Sequence, residues 1–148
     1  MIQIANGNIL ASKAQALVIP VNTLGAMGKG LALQAAKTWP DLPGIYRRAL
    51  RNGHLAIGKV FTVQYESVDV ILFPTKADWR NPSRPEYVQT GLQSLAKELL
   101  RMQPHEVAIP ALGCGLGGLS WKTVQPMIET ALGELPIRVR LYIPREGG

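Results

Sequence analysis

Two glycine-rich stretches constrain the fold of this chain more than any other feature. Each follows a short apolar run and precedes residues at helical spacing. The first is Val21-Asn22-Thr23-Leu24-Gly25-Ala26-Met27-Gly28-Lys29-Gly30, entered from the apolar run 16–21. The second is Gly113-Cys114-Gly115-Leu116-Gly117-Gly118-Leu119, entered from the run 107–110. Glycine loses more backbone freedom on folding than any other residue, so a plain connection has no need of four glycines in six positions. Strand, glycine loop and helix in that order make a backbone nest for an anion, with the positive end of the helix behind it. Two such loops in one small domain point to a nucleotide-like ligand with two phosphates. For the first loop, tight strand-to-helix packing is an equally good explanation. Its Gly28-Lys29-Gly30 is not part of a P-loop, because Gly30 stands where Ser or Thr is required.

The rest of the chain alternates between the two periodicities. Ile2–Ala5 reads as a strand ended by the turn signal Asn6-Gly7-Asn8. Leu31, Ala32, Ala35, Ala36 and Trp39 recur at helical spacing up to Pro40. Asp41 is placed as the cap of a second helix, with Leu42, Ile45, Tyr46 and Leu50 on one face. Residues 60–65 and 68–73 read as a hairpin turning through Glu66-Ser67. Pro85–Met102 is the clearest helix, with a stripe of Val88, Leu92, Leu95, Ala96 and Leu99. A last helix starts from Ser120 or from Thr123, and the second choice puts Pro126 in the first turn. Residues 137–143 alternate as a closing strand. This is an α/β layered pattern around a mixed sheet. In such folds ligands bind beyond the carboxyl ends of the strands. The loops 22–30, 74–84 and 111–119 are therefore expected to converge on one cleft.

A length of 148 residues suits a single domain over 1–148. The net charge of +6 favours anionic partners, from nucleotides to nucleic acid. The single cysteine, Cys114, excludes a disulfide within the chain and a cysteine-based zinc site, and it fits a reducing compartment. No signal-peptide pattern opens the sequence and no apolar run reaches membrane-spanning length. The expectation is a cytoplasmic protein without membrane contact.

Four features bear on chemistry. Lys76 leaves an apolar strand directly into the expected cleft, near Arg80. A desolvated lysine there serves as nucleophile or acid, or simply pairs with ligand phosphate, and spacing does not choose among these. Trp79 stacks on a base or covers the core, the latter being the commoner outcome. Arg47, Arg48, Arg51, Arg80, Arg84 and Lys29 form a possible basic rim for a polynucleotide backbone. Cys114 needs a base to act as nucleophile, and neither His54 nor His105 falls in a cleft loop, so a small buried side chain is favoured.

Several blocks together resemble a known family. They are Gly7-Asn8-Ile9-Leu10, Ala16-Leu17-Val18, Val21-Asn22, Met27-Gly28-Lys29-Gly30-Leu31-Ala32, Phe73-Pro74-Thr75-Lys76 with Trp79-Arg80, and Pro110 through Leu119 with Trp121. In this order, over nearly the whole chain, they look like a macrodomain of the DarG type. The resemblance implies a three-layer α/β/α sandwich with an ADP-ribose cleft. It implies an enzyme that removes ADP-ribose from thymidine bases of single-stranded DNA and counters a DarT-type toxin. No cofactor or metal enters this reading.

Carried onto this sequence, the resemblance implies that Asn8 and Ile9 hold the adenine. Gly113, Cys114, Gly115, Leu116, Gly117, Gly118 and Leu119 wrap the diphosphate, together with Gly25, Met27, Gly28, Lys29 and Gly30. Asn22 faces the distal ribose and orients its hydroxyls, and with Lys76, the catalytic lysine, it is expected to carry the chemistry. Apart from the resemblance, Thr75 is expected to bind the ligand, and Trp79, Arg80 and Arg84, as an aromatic ring and cations at the cleft, are expected to contact DNA. There are departures. Ile19-Pro20 stand where the family usually has Asn-Thr, and Asp78 replaces a usual His. Gly117 stands where the related glutamate-directed branch carries an Asp, which leans toward the DNA-directed branch. DarG proteins carry a further C-terminal domain, so the chain reads as a fragment or a stand-alone relative. Three rival readings stay open on the sequence. They are a non-catalytic ADP-ribose reader, a hydrolase of protein-linked or O-acetyl ADP-ribose, and a general nucleic-acid-binding module.

Overall fold

A computed structural model describes residues 1–144. Six strands form one sheet: β1 (Ile2–Ala5), β2 (Ala16–Asn22), β3 (Phe61–Gln64), β4 (Asp69–Lys76), β5 (Glu106–Ile109) and β6 (Arg138–Tyr142). Their spatial order is β1-β6-β5-β2-β4-β3. Every neighbouring pair is parallel except β3 and β4, which form the expected antiparallel hairpin. The helices are α1 (Gly30–Thr38), α2 (Leu42–Arg51), α3 (Pro85–Met102) and α4 (Trp121–Leu132), and a single 3-10 turn spans Ile9–Ala11.

The strands are apolar on both sides because both faces are covered. Ala16 and Val18 of β2 face α3 and α4, packed with Val88, Leu92, Leu95, Val124 and Ile128. Leu17, Ile19 and Val21 point the other way, toward Ala35 of α1 and Leu42, Tyr46 and Ala49 of α2. The result is the expected three-layer α/β/α sandwich. Gly91 of α3 lets the helix settle on β4: a Cβ there would stand 2.4 Å from Cζ of Phe73.

One helix start differs from expectation, and one that the sequence left open is decided. Asp41 precedes α2, but its carboxylate does not cap the helix. It accepts a hydrogen bond from the Tyr65 hydroxyl at 2.9 Å instead, and Pro43 already removes one of the N–H groups a cap would serve. Helix α4 starts after Ser120, not Thr123, because the N–H groups of Thr123 and Val124 both bond to the Ser120 carbonyl. Pro126 therefore lies inside the helix, on an exposed position, rather than in its first turn. Among the described residues no helix is long and apolar enough to cross a membrane.

Candidate functional site

The cleft opens where the sheet divides. β2 pairs with β5 only over Ala16 and Leu17, but stays beside β4 as far as Asn22. Beyond Leu17 the β5 side of β2 is free. The chain reverses its direction of sheet growth at this place, which is where open α/β sheets bind ligands. It also explains Pro20: on the β5 side its missing N–H interrupts no ladder. The cavity formed there measures about 1010 Å³. That is at the upper end of small-molecule sites, large enough for a dinucleotide-sized ligand.

The three expected loops do converge. Asn8 and Ile9 line the cavity, as do Asn22, Gly28, Lys29 and Gly30 of the first glycine loop. Thr75 and Lys76 reach it from β4, followed by Trp79 and Arg80. Gly113, Gly115, Leu116, Gly117 and Gly118 close the opposite wall. Five of the expected residues do not line it. Met27 is buried in the α1/α2 core, and Cys114 and Leu119 belong to the α3/α4 core. Gly25 turns toward the side chain of Arg47, and Arg84 lies over the Tyr87 ring, 6.0 Å from its centroid. Burial raises the Cys114 thiol to about 11, consistent with an inert side chain. Of the proposed basic rim, only Lys29 and Arg80 reach the cavity.

Asn22 shapes the first loop. Its Oδ1 accepts from the N–H groups of Leu24, Gly25 and Ala26, at 3.0, 3.1 and 3.3 Å. The single hydrogen of the buried Tyr46 hydroxyl is shared between the Asn22 carbonyl, the nearer acceptor, and the same Oδ1 at 2.9 Å. Burial pushes the Tyr46 phenol up to about 12, so it remains a donor. Asn22 Nδ2 donates to the Ala26 carbonyl at 2.8 Å. An amide nitrogen carries two hydrogens, so one N–H is left for a ligand hydroxyl.

Lys76 stands beside Asn22 in the β2–β4 register. Its Nζ donates to the Leu116 carbonyl at 2.9 Å and to the Trp79 carbonyl at 3.3 Å. An ammonium has three donors, so one is free to point into the cleft. Arg80, expected as the neighbour of Lys76, pairs instead with Asp78 through two contacts of 2.9 and 2.6 Å. That pairing, mainly the hydrogen bond from Arg80, holds the Asp78 carboxyl down at about 2.

The second glycine loop is closed by contacts that spacing does not reveal. The Leu119 N–H donates to the Gly113 carbonyl at 2.8 Å, and the Ser83 N–H to the Gly117 carbonyl at 2.9 Å. A Cβ at Gly117 would stand 2.4 Å from the Gly113 carbonyl oxygen and 2.5 Å from Ser83 Oγ. An aspartate cannot occupy this position unless the loop moves. Sequence reasoning also missed Tyr142, Ile143 and Pro144, which line the cavity just past β6. They reach it because β6 is a parallel strand whose carboxyl end opens on the same side, a placement that the alternation of 137–143 does not reveal.

A parallel-rich α/β/α sandwich with two glycine loops around such a cleft defines a class. The Macro domain family matches residues 18–128, and the chain belongs to that family. Within it, the chain is similar to DarG proteins over its whole length. The DNA ADP-ribosyl glycohydrolase of Mycobacterium tuberculosis is 38% identical across 100% of this chain, and that of Thermus aquaticus 39% identical across 99%. The chain spans 43% and 42% of the length of these two relatives. The solved macrodomain of Thermus aquaticus DarG matches with a TM-score of 0.92 at 39% identity, over 97% of this chain and 99% of that one. Thermosipho africanus DarTG, solved in complex with ADP-ribose, matches with a TM-score of 0.93 at 34% identity, over 98% of this chain and 42% of that one.

Proposed function

We propose that this chain is a DNA ADP-ribosyl glycohydrolase: it releases ADP-ribose from thymidine bases of single-stranded DNA and acts as the antitoxin to a DarT-type toxin in the cytoplasm. The observation that carries the reading is Lys76. It ends β4 at the cleft, in register with Asn22, and one ammonium hydrogen is free. The similarity to relatives named DNA ADP-ribosyl glycohydrolase supplies the reaction class.

In this reading the glycine loops hold the diphosphate through backbone N–H groups, aided by the N-terminus of α1. Asn8 and Ile9 hold the adenine. The free N–H of Asn22 orients a hydroxyl of the distal ribose. The bond from the anomeric carbon to the base nitrogen then breaks. The base leaves with the bonding electrons and takes a proton, and a water gives its hydroxyl to the anomeric carbon and its remaining proton back to the Lys76 amine. Lys76 donates its free hydrogen to the departing base, a role suited to a positioned cation where negative charge develops. Covalent attack by Lys76 on the anomeric carbon is the second route. It requires the amine to shed its proton and give up a carbonyl contact. Gly117 favours DNA over glutamate-linked substrate, because a side chain at position 117 would meet the Gly113 carbonyl and Ser83, so no aspartate stands there.

Incubation with a single-stranded oligonucleotide carrying ADP-ribose on thymidine tests this. Mass spectrometry is expected to find free ADP-ribose and unmodified oligonucleotide. Tight ADP-ribose binding without release would leave a reader. Release only from glutamate-linked protein would assign the other branch.

A further inference from the structure

Trp79 is out of place as a packing residue. It is 46% exposed and belongs to neither core cluster. It lines the mouth of the cleft, and its carbonyl accepts from Lys76 Nζ at 3.3 Å. That contact puts the Trp79 backbone beside Lys76, and the exposed side chain lies among the cavity-lining residues.

Two cations from two different loops lie over the ring. Lys29 Nζ of the first glycine loop is 5.7 Å from the ring centroid, and Arg80 Cζ is 5.6 Å away. Both distances are near the outer limit for a cation over an aromatic face, where the attraction is weak in water. Stacking of a nucleobase on an exposed aromatic ring is stronger. An arriving base therefore displaces a cation from the ring. Arg80 is anchored by Asp78, whereas Lys29 is exposed and forms none of the ion pairs found among the described residues. Lys29 is the one able to leave the ring and meet a backbone phosphate. An exposed ring with a mobile cation beside it is the unit that single-strand-binding surfaces use without sequence preference.

We infer that Trp79 is the stacking platform for the nucleotide flanking the modified base in a single-stranded polynucleotide, with Lys29 as its phosphate partner. This rests on the glycohydrolase reading only for the identity of the modified strand. The platform makes the substrate of this site a strand rather than an isolated nucleoside. It also predicts tolerance of the flanking base, since every base has a stacking face.

The test compares wild type, Trp79→Ala and Trp79→Phe on two substrates, the ADP-ribosylated single-stranded oligonucleotide and ADP-ribosyl-thymidine without neighbours. Trp79→Ala is expected to raise KM for the oligonucleotide by about 10-fold, the range of one lost base stack. Its loss of kcat/KM on the oligonucleotide is expected to exceed its loss on the nucleoside by at least about 5-fold. Trp79→Phe is expected to recover most of the difference. Equal losses on both substrates, or no loss on the oligonucleotide, would overturn the inference and leave the exposed ring to a protein partner. In parallel, fluorescence anisotropy follows an unmodified fluorescein-labelled oligonucleotide at saturating free ADP-ribose. There, Lys29→Ala is expected to reduce the salt slope by about 0.7, the share of one phosphate contact on a single strand, and Trp79→Ala to weaken binding about 10-fold. This arm does not depend on turnover. If wild type releases nothing from either substrate, the glycohydrolase reading fails while the anisotropy still decides the platform. Unchanged anisotropy in both variants would refute the platform alone.

Discussion

Lys76 Nζ donates to the Leu116 carbonyl at 2.9 Å and so ties the end of β4 to the second glycine loop. The side chain proposed for the chemistry is also a strut between two walls of the cleft. Lys76→Ala is therefore expected to loosen that loop, and the amides of residues 115–118 should exchange with deuterium faster than in wild type. Unchanged exchange would show that the loop is held by its own contacts, Leu119 to Gly113 and Ser83 to Gly117.

Asn22 and Tyr46 differ in what their loss leaves behind. Tyr46→Phe removes the one hydroxyl hydrogen that the Asn22 carbonyl and Oδ1 share, while Oδ1 keeps three N–H donors, so the expected cost is about 0.5–1.5 kcal/mol. Asn22→Ala strips three loop N–H groups of their acceptor and is expected to be the costlier change in urea denaturation, by about 1–3 kcal/mol beyond Tyr46→Phe. It should also weaken ADP-ribose binding in calorimetry. Equal stability of the two variants would mean that water replaces the Asn22 oxygen at no cost.

Gly91→Ala sets two effects against each other. Alanine returns about 1 kcal/mol of helix propensity. The new Cβ meets the Phe73 ring at 2.4 Å, and overpacking of this kind costs about 1–3 kcal/mol. A net destabilisation is expected in urea melts. A stabilised variant would mean that α3 can lift from β4 freely.

Alkaline pH should destabilise the fold. Burial raises the Cys114 thiol from 9.0 to about 11 and the Tyr46 phenol from 10.0 to about 12. Above the unfolded values the unfolded chain ionises first and is favoured, so stability is full below pH 9 and falls as pH rises toward 12. Thermal melts from pH 8 to 11 should show a declining Tm, with a shallower decline in Cys114→Ala. In the native state at pH 8 the thiol should resist iodoacetamide. Labelling at the rate of the denatured chain would contradict its burial.

What the sequence displayed was periodicity and punctuation. Helix α3 has the predicted bounds Pro85–Met102, because an apolar stripe and a first-turn proline both mark its start. The glycine loops were legible as loops, but not which of their residues turn inward. Met27 and Cys114 point into the cores below the cleft, and only the strand-to-loop geometry decides that. The partner of Lys76 lies forty residues away, and the brace on Gly117 comes from Ser83, so neither leaves a mark in local spacing. Tyr142 to Pro144 were missed because their part in the cleft follows from the position of β6 in the sheet.

The central claim is that Lys76 acts on the bond between ADP-ribose and a DNA base. Its most direct test is single-turnover release of ADP-ribose from a thymidine-modified single-stranded oligonucleotide by wild type and Lys76→Ala, alongside the ADP-ribose affinity of each. The expected result is release slowed about 10²–10⁴-fold in the variant, the range for a positioned proton donor, with affinity changed far less. Loss of rate and affinity in equal proportion would make Lys76 a binding residue, and undiminished release by the variant would contradict the account.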